Sequence, residues 1–224
     1  MTRAPGRLFV KLCGFVEPAD VATASALDVD ALGFVLADDA RVPLDVGRLG
    51  ELFSAAARPL TRVAVVGPRS QDDCRRILEL GFDAVQVVLT DWWQSTLDGK
   101  VVIPVLFDGP DVGARLTDYS QRFSADFRAP QVGAHGRGLL CIDGPHGGGR
   151  GARADRERTR EVARTWPLLL AGGLRADNVG QAIAHVRPRG VDVSSGIEAE
   201  PGRKDPAKMA AFVAAVRAAE RELC

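Results

Sequence analysis

Val10-Lys11-Leu12-Cys13-Gly14, close to the start of the chain, is an apolar run that stops abruptly at a thiol and a glycine. Near the other end, Leu170-Ala171-Gly172-Gly173-Leu174 and Val191-Asp192-Val193-Ser194-Ser195-Gly196 stop in the same way at small residues. In a parallel α/β protein such a run is a strand buried on both faces, and whatever stands at its carboxyl end faces the ligand crevice. One end of the chain thus offers a thiol, and the other a glycine-rich cradle for an anion.

Working outward, short apolar runs recur at 8–13, 31–36, 62–66, 84–88, 101–107, 138–142, 168–171 and 191–194. Between them, helical spacing predicts helices over 18–27, 45–57, 70–80, 90–97, 153–165, 176–185 and 206–221, with one more around 112–123. Sustained alternation argues for a parallel sheet, because parallel neighbours cannot be joined by tight hairpins and need crossover helices. Eight such units predict one α/β domain over 1–224, a (β/α)8 TIM barrel with a parallel eight-stranded sheet. An open doubly wound sheet fits the same pattern but usually has fewer strands.

The chain has 224 residues, suited to a single barrel of up to about 250. Lys+Arg and Asp+Glu balance at 29 each, which leaves no electrostatic footprint for nucleic acid or anionic lipid. A small-molecule partner is expected, with no membrane and no nucleic acid; the oligomeric state is left open. Four dispersed cysteines (Cys13, Cys74, Cys141, Cys224) without a CxxC pair suit a reducing compartment, and no run approaches the roughly 20 apolar residues that span a bilayer. A cytoplasmic protein is expected. No metal-ligand spacing appears, so no metal is expected.

Cys13 ends the first run, and Gly14 lets the chain turn there and leave the thiol uncovered. An isolated cysteine is more often a small core residue, but its place at a strand end favours a general base or nucleophile, both of which require a depressed pKa. Asp143 follows Leu139-Leu140-Cys141-Ile142, so a strand delivers a carboxyl to the same rim. Next to Gly144-Pro145 it could simply be a turn residue. Near a barrel mouth its pKa should rise, making it a proton donor.

Gly172-Gly173 and Ser194-Ser195-Gly196 fall where barrels build phosphate sites, on the loops after strands seven and eight. In His146-Gly147-Gly148-Gly149-Arg150-Gly151, the amides of Gly148 and Gly149 can also approach an anion, although a plain mobile loop has the same composition. His135, His146 and His185 lack a partner pattern, and Trp92-Trp93 reads as packing.

The segments Val-Lys-Leu-Cys-Gly (10–14), Val-Asp-Ala-Leu-Gly-Phe-Val (29–35), Phe-Asp-Ala-Val-Gln (82–86), Leu-Ala-Gly-Gly-Leu-Arg-Ala-Asp-Asn-Val (170–179), Gly-Val-Asp-Val-Ser-Ser-Gly-Ile-Glu (190–198) and Pro-Gly-Arg-Lys-Asp-Pro-Ala-Lys-Met (201–209) resemble the phosphoribosylanthranilate isomerase family, in order over nearly the whole chain. The resemblance implies a cofactor-free Amadori rearrangement, an aldose-ketose isomerisation of a phosphoribosylated arylamine in tryptophan biosynthesis. It implies Cys13 as general base and Asp143 as general acid. It further implies Arg41 on the aryl carboxylate, Gln86 and Asp192 towards the substrate, and Gly172, Gly173, Ser194, Ser195 and Gly196 around the phosphate.

The departures fall around the aryl half. Gln86 continues as Val87-Val88-Leu89 where the family usually has Leu-His-Gly. The family's Gly-Lys-Thr-Phe-Asp-Trp is Gly151-Ala152-Arg153-Ala154-Asp155-Arg156 here, and the threonine after Cys-Gly-Leu is Val16. Two alternatives therefore stay open: the same chemistry on a related phosphoribosyl-arylamine, and a non-catalytic phosphosugar-binding barrel.

Overall fold

The computed structural model describes residues 7–38, 40–89, 92, 94, 96–122, 134–145 and 153–223. Eight parallel strands form the barrel: β1 (Phe9–Cys13), β2 (Ala31–Val35), β3 (Thr61–Val66), β4 (Ala84–Val88), β5 (Lys100–Phe107), β6 (Leu140–Asp143), β7 (Leu168–Leu170) and β8 (Gly190–Val193). Neighbours in sequence are neighbours in space, β8 pairs with β1, and a β4–β5 pairing completes the ring.

Among the described residues seven α-helices clothe it: α1 (Pro18–Ser25), α2 (Leu49–Ser54), α3 (Gln71–Glu79), α4 (Val112–Arg122), α5 (Arg156–Ala163), α6 (Val179–Val186) and α7 (Pro206–Leu223). Local chemistry sets their starts. Pro18 occupies the first turn of α1, where its missing N–H costs nothing. Ser70 accepts from Asp73 N at 3.1 Å to cap α3, and Asp155 accepts from Arg158 N at 3.0 Å to cap α5.

One expected helix is corrected. Within 90–97, Thr96–Leu97 is a short strand antiparallel to the start of β5. The cause is Asp98-Gly99, both at positive φ (49° and 78°), the dipeptide that closes a two-residue hairpin. Trp92 donates its indole N–H to Arg69 O at 2.7 Å and packs on the core, in keeping with a packing role.

Two apolar cores result. The larger lies between strands and helices, and the smaller fills the barrel with Phe9, Ala31, Val63, Ala84, Ile103, Cys141 and Leu169. Large and small side chains alternate there as strand residues of one parity point inward. Among the described residues no helix is long and apolar enough to cross a membrane.

Candidate active site

A cavity of about 560 Å³ opens at the carboxyl ends of the strands, and Cys13, Asp143, Gln86, Asp192, Arg41, Gly172, Gly173, Ser194, Ser195 and Gly196 all line it. Gly148 and Gly149 lie outside the described residues, as does His146.

Along β1 the inward positions run Phe9, Lys11, Cys13, so the strand passes from apolar packing to a charge to the thiol. Cys13 is only 6% exposed, more covered than its neighbour Gly14 suggests. Its expected low pKa is also corrected. Burial pushes the thiol up, because a low-dielectric interior opposes the thiolate, and Lys11 offsets that only in part.

Asp143 stands half-buried at the end of β6. Burial pushes its carboxyl up to about 6, although an N–H bond from Gly144 at 2.7 Å works in the other direction. Asp108 braces this strand end. Its amide donates to Asp143 O at 2.8 Å, and its carboxylate accepts from Asp155 N at 2.6 Å and from Arg158 at 2.9 and 3.0 Å.

Two residues that line the cavity, Asp192 and Gln86, each carry a buried acceptor without a partner. Lys11 Nζ donates to Asp192 Oδ2 at 2.8 Å, leaving Asp192 Oδ1 unpaired. Gln86 Nε2 reaches Cys141 Sγ at 3.6 Å, leaving Gln86 Oε1 unpaired. An unsatisfied buried acceptor costs about 1–3 kcal/mol, and a ligand hydroxyl donating to each would relieve it.

Where the loops after β7 and β8 meet, two backbones touch. Gly172 and Gly173 hold φ of 86° and 63°, and Asn178 pins the loop by donating to Gly173 O at 3.0 Å. A Cβ on Gly196 would lie 1.9 Å from Leu174 O, so only glycine lets the loops after β7 and β8 meet.

Across the mouth, the Arg41 guanidinium pairs with Glu198. Burial works against the Glu198 carboxylate, yet Lys204 at 3.0 Å and Arg41 together hold it below its ordinary value. Lys204 is itself fully buried and reaches Ser194 O at 3.5 Å, which ties the loop after β8 to the arginine. Val16, Val35, Val65, Val88, Val105 and Phe107 supply an apolar wall suited to an aromatic ring.

The family model for N-(5'-phosphoribosyl)anthranilate (PRA) isomerase matches residues 10–215. The chain belongs to that family. An N-(5'-phosphoribosyl)anthranilate isomerase of Methanopyrus kandleri is 32% identical over 93% of this chain and 98% of its own. The crystal structure of TrpF from Jonesia denitrificans superposes with a TM-score of 0.70 at 32% identity, covering 95% of this chain and 98% of the other. Phosphoribosyl anthranilate isomerase from Thermus thermophilus gives a TM-score of 0.77 at 25% identity, over 94% and 99%.

Within the family's barrel, the other sequence candidates sit away from the cavity. His135 Nδ1 contacts Thr61 Oγ1 at 2.9 Å, at the amino end of β3, and His185 pairs with Glu157 at 2.8 Å beside α5 and α6. Sequence reading missed Lys11, Gly33, Glu198 and Lys204. The first two were legible in principle, since Lys11 shares strand parity with Cys13 and Gly33 lies beside Cys13 in the β1–β2 register.

Proposed function

We propose that this barrel converts N-(5-phosphoribosyl)anthranilate into 1-(o-carboxyphenylamino)-1-deoxyribulose 5-phosphate, the isomerisation that serves tryptophan biosynthesis in the cytoplasm. The observation that carries the proposal is a thiol, a protonatable carboxyl and a glycine-rich notch lining one cavity. Asp143 gives its proton to the furanose ring oxygen. The bond from that oxygen to C1 breaks, and the anilino nitrogen lone pair forms the C1=N iminium.

Cys13, as thiolate, then takes the proton from C2, and the released pair forms C1=C2 while the nitrogen becomes neutral. The enolamine gains a proton at C1 and loses the one on its C2 hydroxyl, leaving the ketone. Each change is a proton transfer, and the proton lent by Asp143 is balanced by the one taken by Cys13. Loops 172–173 and 194–196 hold the phosphate, supplying binding energy remote from the reacting bonds. Arg41 takes the aryl carboxylate, and Asp192 Oδ1 and Gln86 Oε1 accept from sugar hydroxyls.

The test is turnover of phosphoribosylanthranilate, followed by loss of its fluorescence. Turnover that disappears in Cys13→Ala and Asp143→Asn, while both still bind the reduced product analogue, supports the proposal. Binding without turnover in the unaltered protein makes it a phosphosugar-binding barrel, and turnover of a different phosphoribosyl-arylamine alone reassigns the substrate.

A further inference from the structure

Lys11 is fully buried, on an inward position of a barrel strand where Val, Ile or Leu ordinarily packs. Stability does not account for it. A buried ion pair such as Lys11–Asp192 can usually be replaced by apolar residues of the same volume without loss, so a pair kept in a barrel core calls for another use.

Gly33 supplies the geometry. It sits beside Cys13 in register, and a Cβ built on it would meet Cys13 Sγ at 2.6 Å, Lys11 Cε at 2.9 Å and Lys11 Nζ at 2.9 Å. Thiol and ammonium thus converge on one point, the one a side chain on β2 would occupy. Asp192 fixes the ammonium there from the other side at 2.8 Å.

We propose that the Lys11 ammonium, anchored by Asp192 and accommodated by Gly33, is the positioning residue that favours the basic, ionised form of Cys13 against the burial that opposes it. The inference rests on Cys13 being the general base. The charged and titratable groups that face the thiol are Lys11 from its own strand, Asp192 from β8, Lys204 from the hairpin after β8, and Asp143 and Cys141 from β6. Burial opposes the thiolate most, Lys11 is the strongest favourable influence, Asp192 acts against it, and Lys204 adds less. Lys11 stays protonated throughout, since Asp192 and Cys13 outweigh its own burial.

The experiment measures the rate of Cys13 alkylation by iodoacetamide against pH, read by peptide mass mapping, with no substrate present. Lys11→Met should raise the midpoint by about one pH unit or more, a tenfold or larger loss of thiolate at neutral pH. In turnover, the deficit of Lys11→Met relative to the unaltered protein should shrink once pH passes the unaltered midpoint, which a packing defect would not do. An unchanged midpoint in Lys11→Met overturns the inference. Where Lys11→Met does not fold, Lys11→Gln decides, and an unchanged midpoint is again the contrary result. Cys13→Ala with full turnover would instead remove the general-base reading while leaving the alkylation result standing.

Discussion

Arg41, from the loop after β2, and Glu198, from the loop after β8, close an ion pair across the mouth of the cavity. Glu198 is held in turn by buried Lys204, so the arginine is presented to the cavity by a carboxylate that cannot drift. Such an arginine is pre-organised for a second, planar carboxylate.

Arg41→Ala should therefore lower kcat/KM for the carboxylated arylamine by roughly 10- to 100-fold, the range for losing a charge-assisted hydrogen bond worth about 1.5–3 kcal/mol. The check is a parallel assay with the phosphoribosyl derivative of aniline, which lacks the carboxylate and should lose far less.

Asp143 couples activity to stability. Its carboxyl is raised from 3.8 to about 6, so the folded protein binds that proton more tightly than the unfolded chain does. Stability from this group is full below the unfolded value and is lost as pH rises through about 6, where burial penalises the ionised form. Asp143→Asn should be more stable than the unaltered protein at neutral pH by on the order of 1–3 kcal/mol in urea unfolding. The same variant should lose about 100-fold or more in kcat, the usual share of a general acid.

The pH profile follows from the same shift. With Asp143 as the proton donor and the higher-titrating Cys13 thiol as the base, kcat should rise with pH up to about 6 and level off there, because loss of the donor offsets gain of thiolate, and the residual rate of Asp143→Asn should go on rising.

At the cradle, Gly196→Ala places a methyl 1.9 Å from Leu174 O, a backbone atom that cannot rotate away. The loops after β7 and β8 must separate, and affinity for inorganic phosphate, measured by calorimetry, should fall about tenfold or more from roughly 1–3 kcal/mol of overpacking strain.

Gly33→Ala would intrude on Cys13 Sγ and the end of Lys11, both of which can shift. The expected outcome is a modest loss of stability, within about 1–2 kcal/mol, with a disproportionate fall in kcat and little change in KM.

Strand after strand of the barrel was legible because parallel strands buried on both faces leave continuous apolar runs, and Cys13, Gly172-Gly173 and Ser194-Ser195-Gly196 mark where those runs end. The 90–97 stretch misled for a local reason. Its spacing suits a helix, but Asp98-Gly99 closes a hairpin, and that dipeptide outweighs weak periodicity over eight residues.

In the site, the covered thiol could not be foreseen, because burial at a strand end depends on neighbouring strands and not on Cys13-Gly14 alone. The Arg41–Glu198–Lys204 chain joins residues distant in sequence, so only folding brings them together. Lys11 passed as one polar residue in an apolar run, although strand parity already placed it beneath Cys13.

The most direct measurement is a structure of the protein with the reduced product analogue bound. The account predicts its phosphate on the amides of residues 172–173 and 194–196. Cys13 Sγ and an Asp143 oxygen should lie within about 4 Å of the open sugar chain, as proton transfer requires. A phosphate seated elsewhere, or a sugar chain out of reach of the thiol or the carboxyl, would contradict it.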